Sequence, residues 1–379
     1  MRRSNNRAPV LILATLLASC ASGDTSSTGS DDRLPANLQA TTLVSGLDTP
    51  WDLVWGPDDH IWVSERGGRI SRVDPQTGER TTAGQLQVRE SGESGLLGIA
   101  FHPDFDASPY VYAVHSYAAS GATRNQLVRM RYEAGALGTP QVLLDGIPGA
   151  GIHDGSRIVV GPDRLLYMTT GDASNPALAQ DRDALAGKVL RLDLEGVPAP
   201  ANPFGNATYS FGHRNPQGLV FGPAGALLST EHGPGDNDEV NRILPARNYG
   251  WPDVHGFCDD DISNDERVFC QANDVVEPLA AWTPTIAPCG ADFYDADLVP
   301  EWRGSLLFTT LRGQALYRLA LSADATQVLE TERLLMGRYG RLRDVLVGPR
   351  GEIYLATSNR DGRGSPAADD DRIIRIDSQ

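Results

Sequence analysis

The chain has 379 residues, 40% of them hydrophobic, with 40 Gly and 25 Pro. That is enough apolar material for a large core and too much Gly and Pro for a helical bundle, and closed all-β folds use this length as one unit. The formal net charge of −16 argues against nucleic acid as a partner, because such binding rests on Lys and Arg neutralising phosphates.

At the N-terminus, Arg2, Arg3 and Arg7 precede an apolar run over residues 8–18, about half a membrane span. This reads as a signal peptide over residues 1–19. The run ends in Leu17-Ala18-Ser19-Cys20, which resembles the lipobox of bacterial lipoproteins. The resemblance implies export and a lipid on Cys20, holding the protein at a bacterial membrane facing the periplasm or cell surface. Ordinary secretion with cleavage at a nearby small residue is the alternative. Residues 20–36 are polar with little to bury and read as a flexible tether.

From residue 37 to 379 one phrase returns six times: a Gly-Pro or His-Pro turn, one or two polar residues, then a β-rich run. In order these are Gly56-Pro57, His102-Pro103, Gly161-Pro162, Gly222-Pro223, a degenerate Trp302-Arg303-Gly304, and Gly348-Pro349. Pro presets φ and Gly or Asp tolerates the turn, so each phrase feeds a strand. The spacing is roughly 57 residues, a little above a propeller blade of four strands. The expected fold is all-β: a six-bladed β-propeller with four-stranded antiparallel blades over residues 37–379. A β-sandwich with long loops is the competing architecture.

Polar residues concentrate along the middle of the chain. His153 sits in Gly151-Ile152-His153-Asp154-Gly155, and Asp172 follows in Thr170-Gly171-Asp172. Strand pairing could set this carboxylate against the imidazole and fix its tautomer, as a general base requires; spacing alone also admits a surface histidine. Arg214 and Asn215 stand next to a Pro turn, a forked and a planar side chain suited to a carboxylate or carbonyl ligand. The run from Glu231 to Glu239, with Gly233 and Pro234 inside it, is rich in oxygen ligands and sharp turns, as calcium prefers; a solvated acidic loop is the plain alternative. Cys258 and Cys270 flank an acidic loop and are the first choice for a disulfide, with Cys289 left free, although spacing leaves the other pairings open. In Arg341-Leu342-Arg343-Asp344 two guanidinium groups fall on one side of a strand. Two adjacent cations call for an anion between them, such as a polycarboxylate.

Taken in order, these segments resemble the soluble glucose and aldose sugar dehydrogenases that depend on pyrroloquinoline quinone (PQQ). The motifs are Trp55-Gly56-Pro57-Asp58, Ser64-Glu65-Arg66, the run from Gly95 to Phe105, Gly187-Lys188-Val189-Leu190-Arg191-Leu192, the run from Gly212 to Gly218, and Asn248-Tyr249-Gly250-Trp251-Pro252. The likeness runs over nearly the whole chain after the tether. It implies a six-bladed propeller that oxidises an aldose at the anomeric carbon to the lactone, with PQQ and Ca2+ as cofactors. His153 matches the base and Asp172 the aspartate that orients it. Arg214, Asn215, Thr285, Arg341 and Arg343 match residues that hold PQQ. Main-chain oxygens of Gly233 and Pro234 match ligands of a catalytic calcium. Glu239, Asp259 and the carbonyls of Tyr249 and His255 match a second, structural one.

The sequence departs from that pattern in places. Arg312 stands where the family carries a cofactor lysine, and Glu93 where glucose-specific members place a glutamine near the sugar. Ile152 replaces an aspartate before the base, and the loop after Asp172 is short. These changes touch sugar contacts, so the expectation is a broad aldose dehydrogenase, with the natural sugar and electron acceptor unspecified. Two other functions stay open on this fold. A calcium-dependent lactonase or hydrolase would need no arginine cluster, and a ligand-binding extracellular propeller would be expected to lack His153 or the Arg pair.

Overall fold

The computed structural model describes residues 33–258 and 263–379. The signal segment, Cys20, most of the tether and Asp259 lie outside the described residues. Each turn phrase joins the first two strands of one antiparallel sheet, and there are six such sheets. Blades one to five span residues 50–85, 96–148, 155–211, 216–282 and 288–334. Blade two carries an extra two-residue strand, Ala136–Leu137. Blade six draws three strands from residues 342–378 and its outermost strand, Leu38–Ser45, from the other end of the chain. The chain is a six-bladed β-propeller closed by pairing its two ends, which removes an open sheet edge at the seam.

The recurring glycine of the turn has a packing reason. A Cβ on Gly56 would lie 2.4 Å from Trp62, and one on Gly161 2.7 Å from Tyr167. In both, an aromatic on the second strand lies across the turn, so only glycine leaves room.

Apolar burial follows the seams between blades. Six hydrophobic clusters occur among the described residues, one for each pair of neighbouring blades. Trp62, Ile99 and Val111 sit between blades one and two, for example, and Tyr354, Ile61 and Leu53 between six and one. The alternation of each strand supplies both faces of a blade with buried residues.

The channel down the middle is lined by the innermost strands: Pro50–Trp55, Leu96–Phe101, Gly155–Val160, Pro216–Phe221, Pro288–Tyr294 and Leu342–Val347. All six carry a register irregularity near their start. A bulge there leaves residues unpaired and turns their side chains inward. Trp51, Arg157, Gln217, Cys289 and Arg343 are such residues, and they meet across blade boundaries. Arg343 donates to Gln217 Oε1 at 2.8 Å and contacts Cys289 Sγ at 3.4 Å. Trp51 is flanked by the guanidinium groups of Arg157 and Arg343, 4.5 and 5.3 Å from its ring centre.

Side chains also stitch neighbouring innermost strands. Asp52 accepts from Ile99 N–H, Asp344 from Leu53 N–H and Asp292 from Val347 N–H, tying blades one to two, six to one and five to six. Ser64, Thr169 and Thr230 donate to the carbonyls of Leu97, Pro216 and Cys289 in the next blade. Arg157 gathers four blades: it pairs with Asp52 and with Asp344, and its Nε donates to Gln217 O at 3.0 Å. Burial pushes the Asp52 and Asp344 carboxyls up, and the Arg157 charge opposes it.

Sequence periodicity indicated almost no helix, yet Asn264–Asn273 forms a ten-residue one. Its N-terminus is a capping box, with Ser263 accepting from Glu266 N–H and Glu266 reaching back. The serine-x-x-glutamate spacing was present in the sequence; what hid the helix was its lack of an apolar stripe.

Arg157→Ala should leave Asp52 and Asp344 buried without a cation and lower the unfolding free energy in urea by about 3–5 kcal/mol. A loss under about 1 kcal/mol would remove Arg157 from this role.

Candidate active site

The strand starts all open on one mouth of the channel. His153 lies just before the innermost strand of blade three, Arg214 and Asn215 just before that of blade four, and Arg341 and Arg343 at the start of that of blade six. Topology therefore collects residues nearly 190 positions apart at one place.

His153 Nδ1 lies 2.8 Å from Asp172 Oδ1. Asp172 is fully buried and held on every side. Trp251 Nε1 donates to its Oδ2 at 2.9 Å, Ser174 N–H to its Oδ1 at 2.8 Å, and its own N–H donates to Arg214 O at 2.8 Å. A carboxylate at Nδ1 puts the ring hydrogen there and leaves the Nε2 lone pair to accept a proton. His153 has φ +63°, a left-handed conformation costly for a side chain with a Cβ. Gly171 makes room for it, since a Cβ there would lie 1.9 Å from His153 O. That contact explains the glycine of Thr170-Gly171-Asp172.

The expected cofactor residues divide by how their charge is met. Arg341 already has an anion: its Nε and Nη2 donate to Asp361 Oδ2 at 3.0 and 2.7 Å. Arg312 lies on an exposed loop and donates to Thr285 Oγ1 at 2.5 Å. Arg214 and Arg343 make no carboxylate ion pair among the described residues. Arg214 meets His232 O at 3.1 Å and the face of Trp251, and Arg343 meets only neutral partners. Burial pulls the Arg214 guanidinium below its usual value. The Nε atoms of both arginines and Nδ2 of Asn215 are buried donors without a partner. Buried donors left unspent on fixed side chains indicate a ligand rich in acceptors.

Arg341, Arg343, Glu93, Gln217, His232, Asp361 and Arg363 line a common cleft. Glu93 is committed within the protein: its Oε2 accepts from His153 N–H at 3.1 Å and its Oε1 from Arg363 at 2.7 Å. Gln217, His232, Asp361 and Trp251 were not among the candidates read from the sequence. His232 is partly exposed at its surface, but desolvation of its ring pulls the imidazole down to about 3 and keeps it neutral. Its neighbours Gly233 and Pro234 had been singled out, and proximity to them was its one signal.

A small cleft next to this one brings together Gly233, Pro234, Glu239, Tyr249 and His255, with Glu231 and Arg214. Burial and the nearby Glu231 push the Glu239 carboxyl up. Its oxygens accept from Asn241 and from Gly256 N–H, not from a Lys or Arg. Two neighbouring carboxylates, Glu231 buried and Glu239 partly so, suit a hard cation. Among the described residues no three His, Cys, Asp or Glu side chains converge to hold a metal, so such a cation would rest largely on main-chain oxygens. Cys258 is joined to Cys270, and Cys289 is free and buried against Arg343.

The fold sets a carboxylate-oriented histidine and two arginines without carboxylate ion pairs among the described residues at one mouth of a propeller. The family model described as glucose/sorbosone dehydrogenase matches residues 47–374, and the chain belongs to that family; it is an oxidoreductase. It is 31% identical to quinoprotein glucose dehydrogenase B of Acinetobacter calcoaceticus, over 89% of this chain and 88% of that protein. Among solved structures it is similar to the PQQ-bound aldose sugar dehydrogenase of Streptomyces coelicolor, at 38% identity and TM-score 0.79, covering 91% of this chain and 99% of the other. The apo-form aldose sugar dehydrogenase of Escherichia coli aligns at 28% identity and TM-score 0.80, covering 90% and 100%.

Gly171→Ala should drive a methyl into His153 O and cost about 1–3 kcal/mol in urea unfolding. Unchanged stability would mean that the histidine loop does not pack on this turn.

Proposed function

We propose that the protein oxidises aldose sugars at the anomeric carbon to the lactone in a reaction that depends on PQQ and Ca2+. One observation carries the reading: the His153–Asp172 pair opens on the same mouth as two cations, the half-buried Arg214 and the buried Arg343, that make no carboxylate ion pair among the described residues. Arg343, Arg214 and Asn215 would hold the cofactor's carboxylates and carbonyls with their unspent donors, with Arg341, Arg312 and Thr285 around them. When bound, PQQ supplies an ortho-quinone that accepts hydride, and Ca2+ at Gly233 and Pro234 polarises it.

The chain's own part is proton handling and alignment. His153 Nε2 takes the anomeric hydroxyl proton, and Asp172 holds the tautomer and offsets the charge as the imidazolium forms. Trp251 and Ser174 keep Asp172 in place. A positioned base of this kind contributes ~10²–10⁴-fold. Glu239, with carbonyls of Tyr249 and His255 and with Asp259, which lies outside the described residues, would hold a second, structural calcium. A lactonase on this fold would have no use for Arg214 and Arg343 as unpaired cations, which favours the quinone reading. The same proposal sets the enzyme outside the cytoplasm on a Cys20 lipid. The Arg-led apolar run and the Cys258–Cys270 disulfide support that placement.

Purified apoprotein given PQQ and Ca2+ should reduce a dye with several aldoses, lose the activity on chelation, and lose at least ~100-fold with His153→Ala while PQQ still binds. Turnover without PQQ, or none with any aldose, would overturn the reading.

A further inference from the structure

The pair formed by Glu93 and Arg363 connects parts of the chain 270 residues apart. Glu93 precedes the innermost strand of blade two, and Arg363 lies in the loop of blade six before its third strand. Glu93 N–H donates to Gly151 O at 2.9 Å, and its carboxylate returns to His153 N–H. Ser94 donates to Asp154 Oδ2 at 2.8 Å, and Asp154 Oδ1 accepts from Ala150 N–H at 3.1 Å. The loop 149–155 that carries the histidine is therefore gripped from residues 93 and 94. Gly92 lies so close that a Cβ would come within 2.1 Å of Gly151 O.

His153 needs such a grip, because its left-handed backbone costs free energy that its surroundings must offset. An amide donor bound to a carboxylate is a strong way to fix it. Glu93 can serve only if its carboxylate stays put and its charge is answered, and Arg363 does both. The Arg363 side chain is about half exposed, at 54%, whereas that of Glu93 is 18% exposed. The same loop also supplies Asp361, which takes Arg341, and Arg363 N–H donates to Asp361 Oδ1 at 2.9 Å. One short loop of blade six thus touches both the histidine's support and a cofactor arginine.

We propose that Arg363 is a positioning residue for the base: through Glu93 it holds the His153 backbone, and with it the imidazole, in line with Asp172. The inference rests on the functional reading above for its kinetic consequences, and on geometry alone for its structural ones. Each Glu93 oxygen accepts one hydrogen bond in this arrangement, one from the histidine loop and one from Arg363. Removing Arg363 takes away the ion pair on Glu93 and leaves the His153 N–H as the hydrogen bond on that carboxylate.

Two measurements on the full chain test this. In the apoprotein, exchange of the His153 amide hydrogen, which Glu93 accepts, should quicken by roughly tenfold or more in Arg363→Ala, read by NMR. In the reconstituted enzyme the same variant should lose roughly tenfold in kcat with KM for the aldose within about twofold. Arg363→Lys should recover most of that loss. Unchanged exchange at the His153 amide, or a raised KM with kcat intact, would overturn the proposal, the latter by making Arg363 a sugar contact. An inactive parent enzyme would instead sink the functional reading, while the amide exchange would still decide the positioning role.

Discussion

Six innermost strands cannot close a channel by their own pairing, because each has a sheet neighbour on one side only. Side-chain contacts between blades resolve this. Asp, Ser and Thr side chains of the adjacent blade take up backbone groups along the free inner edges, and the bulge at the head of each strand turns one or two side chains into the channel. Without that device the blades would share apolar seams but lack a fixed register, and the mouth would have no rigid rim.

The same device sets structure and chemistry side by side in the sequence. Arg343 faces the cleft while Asp344, next to it, ties blade six to blade one and meets Arg157. Trp51 lies between two guanidinium groups while Asp52 binds blade two. Charge balance then separates the roles. Arg157 has two carboxylates and acts as a keystone, whereas Arg343 has none and is held by an amide, a thiol and an aromatic face. A buried cation without an anion is a cost to folding, and its retention at the mouth is most simply explained by a ligand that completes it.

The architecture was legible because blades repeat: six turns of this type mark six sheets, and at Gly56 and Gly161 the glycine answers to an aromatic packed over it. The pairing of His153 with Asp172 was legible as two residues flanking a hairpin of one blade. Partnerships between blades were not. Nothing local to Gln217 tells that it meets Arg343, 126 residues away, and nothing local to Glu93 points to Arg363. The anion expected between Arg341 and Arg343 is in part the protein's own, since Asp361 takes Arg341. The helix at Asn264–Asn273 escaped because its signal was a cap and not a periodicity.

In the proposed function Arg343, buried without a carboxylate partner among the described residues, is the cation that a flat polyanion completes. Titrating PQQ into the apoprotein and into Arg343→Met, followed by tryptophan fluorescence with a thermal melt of each, puts this to the test. Binding should weaken by roughly tenfold or more while the variant melts no lower than the parent. Equal affinity in the two proteins would contradict it.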